Sequence, residues 1–230
     1  DRAQFNLGMC YYNMSLAMQD KADAAKTEAE HKTAQAAAAV EFRKAAVEFD
    51  KLVKGFAKSV QLVDALFYQA ECLSLAGDLA AAVSVYDRIV KQHAQAPQTV
   101  DAYYGLGIAY AELAQHENAA KTFDEFVKKF PKDERLDECR LRNGAALTGL
   151  ERHADAEKLY QQVQSVGTSP YAEYALYQLA LCVQAQDKLP QAADLFESLP
   201  KRFPKGSYFG SALLSGGKCR FRAEQFPQAA

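Results

Sequence analysis

Three columns of residues recur along this 230-residue chain, and they constrain its fold more tightly than anything else in it. One column is always small: Gly8, Ala70, Gly107, Gly144, Ala180 and Gly217. A second is always alanine: Ala45, Ala82, Ala119, Ala156, Ala192 and Ala229. A third is always aromatic: Phe49, Tyr86, Phe123, Tyr160 and Phe196. After the first copy the columns return every 36 or 37 residues. A pattern repeated at that period encodes one supersecondary unit many times over. Each unit can bury its apolar faces only against its neighbours.

The clearest copy runs from Val100 to Pro131 and predicts two short amphipathic helices joined by a tight turn. Tyr103, Leu106 and Tyr110 recur at spacings of three and four, which is one face of a helix. Gly107 sits within that helix, where glycine costs roughly 1 kcal/mol against alanine. The cost makes sense if another backbone, near Ala119, must come close. Gln115 to Asn118 supply a polar turn, and Ala119, Phe123, Phe126 and Val127 form a second stripe. Lys128 and Lys129 suit the negative end of a helix, and Pro131 stops it.

With Val100 as position 1, the matches are Tyr103 (4), Leu106 (7), Gly107 (8), Tyr110 (11), Ala119 (20), Phe123 (24) and Pro131 (32). This pattern resembles the tetratricopeptide repeat (TPR), with Phe126 in place of the usual small residue at position 27. The resemblance implies an all-α, right-handed TPR superhelix, a solenoid of antiparallel helix pairs. Five repeats would be complete and a sixth partial. From about Val63 onward, endings such as Phe123 to Pro131 and Leu195 to Pro204 also resemble bacterial envelope TPR proteins. Among these are the Tol–Pal-associated periplasmic cell-division factor and the outer-membrane assembly lipoprotein. That likeness implies a periplasmic adaptor ahead of a cytoplasmic one.

The register divides one solenoid domain, residues 1–230, into repeats at 1–62, 63–99, 100–136, 137–172 and 173–209, with a partial repeat at 210–230. The first repeat reaches position 20 only at Ala45, so it holds an insertion near 19–44. That stretch lacks Gly and Pro and is rich in Ala, Lys, Glu and Gln, which favours a long helical hairpin over the alternative of a polar loop. Repeat four carries Arg140 and Asn143 where apolar residues usually stand, so its first helix is expected to be loosely held. The chain opens already in helix phase, and Pro227 opens a helix that has barely begun by Ala230, so a longer parent chain is expected.

Composition bounds the function classes. The chain is 49% hydrophobic and 24% charged, with a net charge of −2. No basic stretch outweighs its acidic neighbours, so nucleic acid is not expected as a partner. No apolar run approaches the ~20 residues of a membrane span. Cys10, Cys72, Cys182 and Cys219 share position 10, where Ala109 and Ala146 stand in the other copies, and read as small buried groups. Equivalent sites on stacked repeats lie about 10 Å apart, beyond the ~7 Å that a disulfide allows between Cα atoms. Cys139 stands apart, and His31, His93, His116 and His153 have no ligand partners at metal spacing. Ser215 to Lys218 imitates the end of a phosphate loop but lacks its first glycine and its Ser or Thr. No nucleophile–base constellation is recognisable. No catalytic residues, metal or cofactor are expected.

What remains is surface. The TPR resemblance implies that first helices line a concave groove, with positions 5 and 9 facing it. Here those positions supply Phe5, Phe67, Glu71, Tyr104, Ile108, Leu141, Tyr177 and Leu181 as candidate partner-binding residues. The Lys and Asn pattern of TPR clamps for chaperone C-terminal carboxylates is absent. A row of aromatics suits a peptide with apolar anchors. Asp64, Glu71, Asp101 and Glu112 would give it an acidic margin. The expectation is therefore a non-catalytic interaction scaffold for an unidentified protein or peptide. A structural spacer that self-associates through its terminal repeats, and a regulatory segment of a larger enzyme or signalling protein, are the competing readings.

Overall fold

In a computed structural model the described residues are 1–224, and they form eleven α-helices and no strand. The final helix turn expected at Pro227 and Ala229 lies outside them. The helices are α1 (Arg2–Asp23), α2 (Glu28–Gly55), α3 (Leu62–Leu75), α4 (Leu79–Gln92), α5 (Thr99–Glu112), α6 (His116–Lys129), α7 (Leu136–Gly149), α8 (His153–Ser165), α9 (Ala172–Ala185), α10 (Leu189–Arg202) and α11 (Phe209–Arg222). They fall into two compact units, Asp1–Gln115 and the residues from His116 onward. Within each unit the substantial helix contacts join chain neighbours, apart from a brush between α3 and α5.

The first two helices are longer, at 22 and 28 residues, where the others have 13 or 14. Their connection is short because Thr27 caps α2. Its hydroxyl accepts from the Glu30 amide, and the Glu30 carboxylate accepts in return from the Thr27 amide, each at 3.2 Å. His31 Nδ1 donates to the Ala22 carbonyl at 2.8 Å, satisfying an oxygen at the end of α1. Further along, Arg43 of α2 grips both oxygens of Asp78 at 2.7 and 3.1 Å and donates to the Ala76 carbonyl. This fork holds the α3–α4 turn against α2.

Those turns repeat a single backbone feature. Gly77, Ala114, Glu151, Asp187 and Glu224 occupy one register position, just past the first helix of a repeat, and each has a positive φ between 54° and 81°. Glycine adopts that left-handed conformation freely, whereas a Cβ costs roughly 1–2 kcal/mol there.

The aromatic column is the core. Phe49, Tyr86, Phe123, Tyr160 and Phe196 are all fully buried. Small residues clear space for their rings. A Cβ added to Gly8 would meet the Phe49 ring, and one added to Gly144 would meet Tyr160, both in the same repeat. A Cβ on Gly105 would meet Tyr86 of the preceding repeat. The atoms crowding Gly8 and Gly144 are therefore ring atoms of position 24, whereas the sequence pointed to alanine at position 20.

Two expectations are corrected. Cys72, Cys139, Cys182 and Cys219 are buried, but Cys10 on α1 is exposed, so the shared register does not give the column one environment. The first helix of repeat four, α7, is not loosely held. It buries Cys139, Leu141, Asn143, Gly144, Ala146 and Leu147, as many residues as α5 buries. Arg140 finds Asp137 and Arg142 finds Glu138 along the helix, so the two arginines leave the core intact.

Candidate functional site

The eight candidate groove residues lie on first helices, five in the first unit and three in the second. In the first unit, Phe5 of α1 meets Phe49 edge-on at 5.6 Å between ring centroids, and Tyr68 at 6.0 Å. Phe67 of α3 meets Tyr68 edge-on at 5.7 Å and leans on Tyr86 at 6.4 Å. Phe5, Phe67, Tyr104 and Ile108 are all half-buried. In the second unit Leu141 is buried, while Tyr177 and Leu181 are half-buried. The Tyr177 ring stacks on Tyr208 at 4.7 Å and meets Phe196 edge-on at 5.8 Å.

Two aromatic columns thus have different fates. The second-helix rings at position 24 are sealed, whereas the first-helix rings at position 5 keep part of their surface in solvent. Burial of core area explains the first column completely and the second only in part.

The acidic margin is partly spent inside the protein. Glu71 accepts a hydrogen bond from the Tyr86 hydroxyl, and Asp64 accepts one from the Gln98 amide. Burial pushes the Glu71 carboxyl above its ordinary range against the lowering effect of the Tyr86 bond, and the nearby charge of Asp101 adds to the rise. Among the described residues no group of His, Cys, Asp or Glu could hold a metal ion, and no helix is long and apolar enough to cross a membrane.

Two tetratricopeptide repeat profiles match the sequence, one over residues 31–97 and 76–134 and the other over 174–206, together more than half of the chain. The chain belongs to the tetratricopeptide repeat family. A comparison with curated proteins found no match. Solved structures resemble it in fold. One is YrrB, described as a TPR protein with an unusual peptide-binding site, at 19% identity and a TM-score of 0.61, covering 79% of this chain and 86% of that one. MamA from Desulfovibrio magneticus RS-1 matches at 18% identity and a TM-score of 0.58, over 73% of this chain and 88% of that one. The apo form of RapI matches at 11% identity and a TM-score of 0.67, over 99% of this chain and 73% of that one. At such identities the likeness is one of fold.

A second feature of this TPR chain escaped the sequence reading. In the second unit α6, α7 and α8 enclose a cleft of about 450 Å³. Asn143 and Leu147 of α7 line it, with Lys121 and Asp124 from α6 and Arg152 and Lys158 from the start and body of the α8 wall. Asn143 is only 4% exposed, and its amide oxygen has no hydrogen-bond donor. The signal was present in the sequence, as a polar residue at position 7 where repeats three and five have Leu106 and Leu179. From sequence alone that residue predicts only a packing weakness.

Proposed function

We propose that this TPR chain is a non-catalytic protein-interaction scaffold that seats a peptide or partner protein on the faces of its first helices. One observation carries the reading: the position-5 aromatics Phe67, Tyr104 and Tyr177 stay half-buried while the position-24 aromatics are sealed. Half-buried aromatics present rigid apolar area at low entropic cost to a partner. A partner anchored there would insert apolar side chains between the rings. YrrB, a structural neighbour, is described as having a peptide-binding site, which supports a role of this class.

The test is selection of binders from a displayed library of random peptides, followed by affinity measurements. A selected peptide should be weakened by Tyr104→Ala if it seats on the first unit, or by Tyr177→Ala if it seats on the second, by roughly thirtyfold for a ring that acts as an anchor. A surface change such as Lys58→Ala should leave binding alone. Undiminished affinity in both tyrosine variants, with binding lost on shortening the α1–α2 hairpin, would move the site to the hairpin.

A further inference from the structure

Gln69 and Asn143 occupy the same register position in repeats two and four, and Asp50 and Asp124 occupy the same position in the repeats before them. In the first unit the pair is closed. The Gln69 amide donates to Asp50 at 3.2 Å, and Gln69 is 9% exposed. In the second unit the pair is open. Asn143 is one methylene shorter, its buried amide oxygen meets no donor among the described residues, and Asp124 accepts from Lys128 at 2.6 Å. Between them lies the cleft, with Asn143 in its lining.

A buried amide oxygen without a donor destabilises the fold, and leucine would carry no such penalty. The cleft volume falls within the range of ligand sites, about 300–1,000 Å³. A primary amide carries an acceptor and a donor side by side, so it complements the C=O and N–H of a peptide backbone. The cleft charges narrow the occupant further. Asp155 already accepts from Arg152 at 3.0 Å and from Lys158 at 3.1 Å, and Glu117 lies 4.0 Å from Arg152. Among the described residues Lys121 has no ion-pair partner, so the cation left over is at the α6 wall.

We propose that the α6–α7–α8 cleft is a binding site for an extended peptide segment carrying an acidic side chain. Asn143 holds the segment's backbone and Lys121 faces its carboxylate. None of the position-5 and position-9 candidates lines this cleft, so the proposal does not rest on the first-helix reading.

The experiment is titration of isotopically labelled protein, followed by amide chemical shifts. The probes are acetyl-Gly-Glu-Gly-Gly-amide and acetyl-Gly-Lys-Gly-Gly-amide, at up to about 5 mM, where weak complexes become visible. The glutamate peptide should shift the Asn143 side-chain amide and the resonances of α6 and α8, and leave Phe67 and Tyr177 unmoved. Asn143→Leu should melt higher than the parent yet bind tenfold or more weakly, because the backbone contact is gone. Asn143→Gln should also weaken binding, by reaching Asp124 as Gln69 reaches Asp50. Lys121→Ala should cost about three- to tenfold and erase the preference over the lysine peptide. The proposal fails if neither peptide shifts the cleft, if Asn143→Leu binds as the parent does, or if the lysine peptide binds better. Shifts confined to the first-helix rings would fail it too while leaving the first-helix reading standing.

Discussion

The ring of Phe49 lies over the α-carbon of Gly8, so close that a Cβ there would come within 2.7 Å of it. Tyr160 stands over Gly144 in the same way, at 2.8 Å. Both rings are fully buried and have nowhere to retreat. Gly144→Leu should therefore destabilise the protein by about 1–3 kcal/mol through overpacking. Gly55→Ala is the contrast. It ends α2 with no atom within 4 Å of an added Cβ, so it should gain up to about 1 kcal/mol from helix propensity. Denaturant melts of both variants check the pair, and a Gly144→Leu midpoint equal to the parent's would contradict the close approach.

The left-handed turn position carries Gly77 in repeat two and Glu151 in repeat four. Glu151→Gly should raise stability by about 0.5–1 kcal/mol, the relief of strain being partly offset by a freer unfolded chain. Gly77→Ala should lower it by about 1 kcal/mol. Thermal unfolding in parallel tests the sign: both changes moving the melting temperature the same way would refute it.

Thiol reactivity should split one against four. Cys10 is exposed, while Cys72, Cys139, Cys182 and Cys219 are buried. Burial raises the Cys72 thiol well above its ordinary value and pushes Cys139 up to about 12, so their reactive thiolates are scarce at neutral pH. A chromogenic disulfide reagent should find a single fast thiol in the native protein, absent in Cys10→Ser, and five after denaturation. Several fast thiols in the native state would mean that the buried column opens readily.

Glu71 makes stability depend on pH. Its folded carboxyl holds a proton at pH values where the unfolded one, near 4.3, has lost it. The native state therefore binds more protons across that window, and the Glu71 contribution falls as pH rises through it. Glu71→Gln keeps an acceptor for the Tyr86 hydroxyl and removes the charge. Its melting-temperature advantage over the parent should be small near pH 4 and grow toward neutrality. An advantage that stays flat across that span would show the carboxyl to be unperturbed.

Much of this was legible beforehand because helix pairs impose period-bound demands. Alanine at position 20, aromatics at position 24 and polar residues between the stripes announce which faces are buried, so the all-α repeat fold followed from Ala119, Phe123 and their copies. What stayed hidden depends on absence or on backbone angle. Nothing about Ala114 or Glu151 advertises a positive φ, since only Gly77 is the residue that such a turn prefers. The exposure of Cys10 depends on what packs over that face of α1, which a column of like residues conceals. Asn143 stood out as polar, but whether its amide met a partner depended on a single methylene and on the direction in which Asp124 turned. Which rings of the first-helix column meet solvent was equally unreadable, since Leu141 shares their register and is buried.

Within each unit, the predominance of packing between chain-neighbour helices also governs how the chain acquires its structure. A helix that leans on the segments just before and after it in sequence closes only short loops, and such topologies fold quickly. Within the first unit the α1–α2 hairpin can settle as soon as its own residues are available, and α3, α4 and α5 then each find a formed surface to join. Damage should spread just as locally. Loosening α8 would fray its flanks α7 and α9 first and leave the hairpin standing, so that unfolding proceeds as partial opening along the chain rather than as one cooperative collapse.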